Sequence, residues 1–253
     1  MTDFKDYFSS GSDRYQQYRP TYPLSLFKWL QTRAGKKSTV WECGAGTGQA
    51  TTQLAQVFKT VIATDASQEQ LSQAPDLENV NYVATPAEAF SAATESIDLI
   101  VVAQAIHWFD HDRFFALVET VLKPGGFIAV WGYQFIKTDT AIDQLIMKFH
   151  TDLLGPFWPK ERKLLNDGYN GITFPYPAHE TPPFKMEAEW SFEHLIGYLN
   201  TWSAVKQYEK AKGQNPIELV INDFANAWGD PKQVKTVSWP LILYLGQKPI
   251  AAE

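Results

Sequence analysis

The chain has 253 residues, 45% hydrophobic and 20% charged, which is material for one substantial core and excludes a disordered chain. A formal net charge of −6 disfavours nucleic acid as the main partner, because phosphate binding needs concentrated Lys and Arg. Cys43 is the single cysteine, which excludes an intrachain disulfide and a cysteine-based zinc site.

The start, Met1-Thr2-Asp3-Phe4-Lys5, lacks the basic and apolar regions of a signal peptide. The apolar run Leu99 to Ile106 is far too short to span a bilayer. A cytoplasmic location with no membrane partner is therefore expected. Residues 1–37 form an N-terminal segment and helix, in which Pro20 and Pro23 stiffen the chain around Arg19. The guanidinium of Arg19 is suited to gripping a carboxylate with two parallel hydrogen bonds.

From 38 to 133, short β-rich runs alternate with helical stretches, the pattern of a doubly wound, mostly parallel α/β sheet. Strands are predicted at Ser38–Cys43, Thr60–Thr64, Asn81–Val83, Ile97–Ala103 and Phe127–Trp131. The fourth is apolar throughout after Asp98, as a central parallel strand should be. Helices are predicted at Gln49–Phe58 and Asp112–Leu122, the latter stopped by Lys123-Pro124-Gly125-Gly126.

Residues 134–253 are richer in aromatics and proline, as in Gly155-Pro156-Phe157-Trp158-Pro159. A helix is expected at Asp139–Leu154, then loop to about 183, a strand near Lys185–Trp190, helices near 192–202 and 216–228, and a last strand at Thr236–Leu245. That brings the sheet to seven strands. Residues 134–183 and 191–235 are read as helical cap insertions over one end of it.

The strongest local signal is Val40-Trp41-Glu42-Cys43-Gly44-Ala45-Gly46-Thr47-Gly48-Gln49, which leaves a strand and opens a helix. Glycines there allow tight turning and close approach of a ligand to bare backbone. Asp65 ends the second strand, seventeen residues after Gly48, where a carboxylate can accept from both hydroxyls of a ribose. The pair indicates an adenosine-type cofactor.

Dinucleotide binding asks for G-x-G-x-x-G, but Gln49 stands where the third glycine would fall. Glu42 would also repel a pyrophosphate, whereas an ammonium group beside it is favourable. An NAD-dependent oxidoreductase is thereby disfavoured. No phosphate-loop lysine is present, so the loop reads as one for a nucleoside without phosphate.

These residues resemble the class I S-adenosylmethionine-dependent methyltransferases, whose first motif has the form E/D-x-G-x-G-x-G. The resemblance continues through Asp65, Thr85-Pro86-Ala87-Glu88, Gln104-Ala105-Ile106-His107-Trp108-Phe109 and Leu122-Lys123-Pro124-Gly125-Gly126. A narrower one, to the trans-aconitate methyltransferase-like (methyltransferase type 11) subgroup, rests on Tyr15 to Pro23, His107-Trp108-Phe109, Thr201-Trp202-Ser203 and Trp239-Pro240 to Gly246-Gln247-Lys248. It implies a Rossmann-like fold, S-adenosylmethionine as cofactor and a small-molecule acceptor.

The resemblance further implies that Glu42 and the loop at Gly44, Gly46 and Gly48 meet the methionine end, and Asp65 the ribose. Ala87 and Glu88 would lie near the adenine, and Ala103 and Gln104 beside the methionine portion. Tyr15, Tyr18 and Arg19 would belong to a lid over the cofactor.

On the acceptor side, His107 follows the fourth strand and could serve as a general base or position a substrate oxygen. Trp108, Trp131, Tyr133 and Trp202 are candidates to line the pocket, since ring faces attract a sulfonium cation by roughly 0.5–2 kcal/mol. A carboxylate acceptor would need no base, being ionised at neutral pH. No spacing of His, Asp or Glu reads as a metal site. The alternative to an enzyme is a protein that binds S-adenosylmethionine without transferring its methyl group.

Overall fold

The structure, a computed structural model, describes residues 18–250. Seven strands, β1 Thr39–Cys43, β2 Thr60–Asp65, β3 Val80–Ala84, β4 Ile97–Ala103, β5 Leu122–Tyr133, β6 Lys185–Trp190 and β7 Lys235–Gln247, form one sheet. Their order is β3-β2-β1-β4-β5-β7-β6. The first five are parallel, and β7 runs antiparallel to both β5 and β6. After β3 the chain returns to place β4 beside β1. A crevice therefore opens beyond the carboxyl ends of β1 and β4, where ligands of such sheets bind.

Helices α1 Leu24–Ala34, α2 Thr51–Val57, α3 Gln68–Leu71 and α4 His111–Val121 accompany these parallel strands. Both faces of the sheet are covered, and β5 shows why. Phe127, Ala129, Trp131 and Tyr133 enter one apolar cluster, while Ile128 and Val130 enter the other. That is the two-residue alternation of a strand buried on both sides. On the first face α1 buries Leu26, Phe27 and Leu30 completely, each contributing about 1.5–3 kcal/mol of apolar transfer.

Strand β5 begins earlier than the sequence suggests. Leu122 pairs with Ile97 and Phe127 with Leu99, so the intervening Lys123–Gly126 run is taken up as an irregularity in the ladder. Gly126 permits it, because a Cβ there would lie 2.9 Å from the Lys123 carbonyl oxygen.

The cap elements are α5 Thr140–Lys148, α6 Arg162–Asn166, α7 Phe192–Asn200, α8 Ser203–Lys212 and α9 Ile221–Trp228. The predicted Asp139–Leu154 helix is α5, capped by the Asp139 side chain and prolonged by a wider turn over Phe149–Leu153. Two elements lie outside the predicted set. The region read as loop contains α6, and α8 follows directly on α7. Helix α8 buries only Ala204 and Val205, so its apolar period is faint in Ser203-Ala204-Val205-Lys206-Gln207-Tyr208. No helix among the described residues is long and apolar enough to cross a membrane.

Candidate active site

The glycine loop turns at the carboxyl end of β1 and is pinned from beneath by β2. The Thr64 carbonyl accepts both the Gly44 N–H (2.8 Å) and the Ala45 N–H (2.9 Å). Gly44 has φ +72°, and a Cβ there would come within 2.6 Å of the Ala105 Cβ. Glycine is required at that position on both counts. The loop also holds Thr47 Oγ1 buried without a hydrogen-bond partner among the described residues.

Asp65 braces the loop from the second strand. One carboxylate oxygen accepts the Gly46 N–H and the other the Ser67 N–H, both at 2.8 Å. Glu42 points beneath the loop and is only 1% exposed, with the Thr51 hydroxyl donating to it at 2.6 Å. Burial raises its pKa to about 8, the nearby Asp65 charge adding to the shift and the Thr51 bond opposing it.

Ala87 is buried in a short 3₁₀ turn over Ala87–Ala89, and Glu88 beside it accepts the Asp110 N–H at 2.7 Å. This ties the turn after β3 to the start of α4. Ala103 closes β4 against Trp131 of β5. Gln104 follows in the left-handed region, at φ +58°, with its N–H on the Trp131 carbonyl at 2.7 Å.

Beyond Gln104 lies a cleft with about 490 Å³ of empty space, part of it open to solvent. Gln104, His107 and Trp108 line it from the turn after β4; Trp158, Pro159 and Arg162 from the segment entering α6; Trp202 and Ser203 from the junction of α7 and α8; and Arg19 from the N-terminal side. Arg19 is itself anchored, donating to Thr201 Oγ1 (3.1 Å) and to the Tyr133 hydroxyl (3.0 Å).

The cleft brings together His107, Trp108, Trp202, Gln104 and Arg19 of the predicted set. Tyr133 stands behind it as a hydrogen-bond partner of Arg19 rather than as a wall. Trp131 needs correcting from pocket to core: it is fully buried, edge-on to Tyr22 (5.6 Å) and Phe27 (5.8 Å). Its place in β5 turns it towards α1, where its area is better buried than at a wet surface. Tyr18 packs over Gly197 of α7 and edge-on to His194 (5.0 Å). Tyr15 lies outside the described residues.

His107 is buried, its Nδ1 without a partner among the described residues. Burial first, then the charges of Arg162 and His111, depress its pKa to about 3. It is neutral at physiological pH and a weak base. Four lining residues were not foreseen, Trp158, Pro159, Arg162 and Ser203, and His150 and Tyr169 pack against the cleft residues. His150 stacks on Trp158 at 4.7 Å, and Arg162 lies 4.2 Å above the same indole. Tyr169 stacks with His107 at 6.2 Å, its hydroxyl reaching in beside Gly132. In sequence, Arg162 sits in Lys160-Glu161-Arg162-Lys163 and looks like part of a solvated charge run.

The comparisons with known proteins agree with this geometry. A family model described as a methyltransferase domain matches residues 41–130, from β1 into β5. A Dictyostelium discoideum protein described as a methyltransferase is 31% identical over 255 residues, covering 98% of this chain and 97% of its own. A Saccharomyces cerevisiae relative, described as an S-adenosylmethionine-dependent methyltransferase, is 31% identical over 277 residues, covering 94% and 95%. A solved structure from Anaeromyxobacter dehalogenans, described as a type II methyltransferase, superposes with a TM-score of 0.85 at 36% identity, covering 92% of this chain and 99% of that one.

A glycine loop at the carboxyl ends of a doubly wound sheet, braced by an acid on β2, is the layout of a nucleoside-cofactor site. The chain belongs to the class I S-adenosylmethionine-dependent methyltransferases. Its cofactor is S-adenosylmethionine, and the loop fits it: Gly44 leaves bare backbone, the Asp65 carboxylate stands at the end of β2 beside Gly46, and Thr47 Oγ1 lacks a partner among the described residues.

Proposed function

We propose that this enzyme methylates a small-molecule carboxylic acid seated in the cleft between Gln104 and the cap. The observation that carries the proposal is His107, the imidazole at the cleft, whose pKa of about 3 makes it a poor proton acceptor. An acceptor that arrives ionised has no proton to lose, so a site with a weak base suits it. The narrower resemblance in the Tyr15–Pro23 and His107–Phe109 segments points the same way, to small molecules.

When bound, S-adenosylmethionine supplies the electrophilic sulfonium methyl. The chain's own residues bind, orient and exclude water. In this reading Glu42, Gly44, Gly46 and Gly48 hold the methionine end with Ala103 and Gln104. Asp65 takes the ribose, and Ala87 and Glu88 flank the adenine. Arg19 closes over the cofactor, while Trp108, Trp202 and, behind them, Tyr133 enclose the acceptor. Residues 38–133 thus carry the cofactor, and residues 134–253 supply the cap and the last two strands. The acidic net charge supports a small cytoplasmic acceptor rather than nucleic acid.

The test is to incubate the protein with S-adenosylmethionine and panels of small acids, phenols and amines, identifying products by mass spectrometry. The expected product is a methyl ester, with kcat of His107→Gln within about tenfold of wild type. Methylation confined to phenols or amines, with collapse of kcat in His107→Gln, would make His107 a base and sink the carboxylate reading.

A further inference from the structure

The cap carries a cation, Arg162, that meets no counter-charge among the described residues. Arg162 begins α6, and its side chain enters the cleft shared with Gln104 and His107. Its Nε is fully buried and makes no hydrogen bond, and no carboxylate lies within ion-pair distance of it among the described residues. An Nε–H withdrawn from water without an acceptor is costly, and native structures seldom retain one without a partner to come.

The neighbours make the deficit a shared one. The Tyr169 hydroxyl and Asn166 Oδ1 are likewise buried and unpartnered, as are Nδ1 of His107 and both ring nitrogens of His150. Nearby groups that could carry charge do not neutralise Arg162. Arg19 is a second cation, His107 and His150 are held neutral, and Tyr133, Tyr169 and Tyr198 are phenols. Burial and the charge of Arg19 both press on the Arg162 cation. Trp158 covers one guanidinium face at 4.2 Å. Stacking occupies the face and leaves the N–H edge available, the edge that matches a planar two-oxygen anion.

We infer that Arg162 is the anchor for a carboxylate of the acceptor, gripping it edge-on from the stacked position on Trp158. This rests on the reading of the cleft as the acceptor site, and it assigns the specificity-determining cation to α6. A phosphate would satisfy the same edge. The carboxylate is chosen because Trp158 covers a guanidinium face and leaves the in-plane N–H edge, which a planar two-oxygen group meets with two parallel hydrogen bonds.

Calorimetry on the full chain saturated with S-adenosylhomocysteine tests it, using succinate, citrate, benzoate and inorganic phosphate, with succinamide and benzamide as uncharged counterparts. At least one carboxylate should bind and neither amide should. Arg162→Gln should weaken the binding carboxylate at least roughly tenfold, while Arg162→Lys recovers part of the loss. Both variants should hold S-adenosylhomocysteine as wild type does, which separates a lost anchor from a lost fold.

Amides binding as well as acids, phosphate alone binding, none of the anions binding, or undiminished carboxylate affinity in Arg162→Gln would each overturn the anchor. If Arg162→Gln also loses S-adenosylhomocysteine, Arg162→Lys decides, with wild-type carboxylate affinity supporting the anchor and full loss overturning it. Turnover separates this from the broader reading. Methyl transfer to a neutral acceptor with kcat/KM unchanged in Arg162→Gln overturns the anchor alone. Carboxylate binding that depends on Arg162, with no acid methylated, overturns the reaction and keeps the anchor.

Discussion

Gln104 and Tyr133 are joined by two hydrogen bonds in which one partner is a side chain and the other is backbone. The Gln104 amide donates to the Tyr133 carbonyl at 3.0 Å, and its oxygen accepts the Tyr133 N–H at 2.8 Å. The chain has turned left-handed at Gln104, so β4 no longer follows β5. The carboxamide stands in for the missing strand and carries the ladder on past its end. This side chain is therefore committed to the end of β5, and what Gln104 can offer a ligand is its backbone carbonyl. Gln104→Ala should lower stability by about 1–3 kcal/mol, since two partly buried backbone groups lose their partners. Urea unfolding measures this, and a loss indistinguishable from zero would show that water replaces the amide without cost.

Asp65 uses one carboxylate oxygen on the glycine loop at Gly46 N–H and the other on Ser67 N–H after β2. Asp65→Asn retains one acceptor and sets an amide N–H against a backbone N–H at the other. Affinity for S-adenosylmethionine should fall by one or more kcal/mol, and thermal stability should fall with it. Unchanged affinity in calorimetry would mean the ribose is held elsewhere.

Glu42 makes stability depend on pH in a direction unusual for an acid. Its folded pKa of about 8 lies above the ordinary 4.5, so the folded chain keeps a proton that the unfolded chain releases. Stability from this group is fully present below pH 4.5 and is lost as pH rises towards 8. Glu42→Gln should flatten that decline, so that the variant gains on wild type as pH increases from 5 to 8. Parallel stability curves from urea unfolding would show that Glu42 is ionised in the folded chain.

His150 acts with the opposite sign. Burial first, and then the Arg162 charge, lower its pKa from 6.5 to about 4. Between those values the unfolded chain binds a proton that the folded chain refuses. Stability is therefore lost as pH falls below 6.5. His150→Gln should lose less stability than wild type between pH 6.5 and 4. His107 contributes in the same sense down to about pH 3. The histidine and Glu42 effects oppose each other across pH 4.5–6.5, so single variants resolve what the wild-type curve blurs. An unaltered slope in His150→Gln would count against the depressed imidazole.

The cofactor half of the molecule was legible because its signals are local. A glycine that must turn left-handed, as Gly44 does, announces itself by type, and Asp65 follows at a spacing fixed by one helix and one strand. The cleft was only half legible. Gln104, His107 and Trp108 sit in a turn next to a strong strand, but Trp158 and Arg162 reach the same space from a segment outside any predicted strand. Nothing in Lys160-Glu161-Arg162-Lys163 tells which of four charged residues turns inward, since that depends on where Trp158 packs. Trp131 was misassigned for the complementary reason: a tryptophan at a strand end suits a pocket or a core equally, and α1 on that face decides for the core.

Strand β7 has a consequence for how the chain is made. It pairs with β5 on one side and β6 on the other, so β6 has no strand neighbour until Lys235–Gln247 has been synthesised. The Phe127–Gln247 pairing closes a loop of more than a hundred residues holding the whole cap. On the ribosome the five parallel strands can assemble first, while the aromatic cap waits on the last strand to be drawn in. During those seconds the outer face of β5 is an exposed edge, and its guarding against other nascent chains falls to whatever occupies the cell around it.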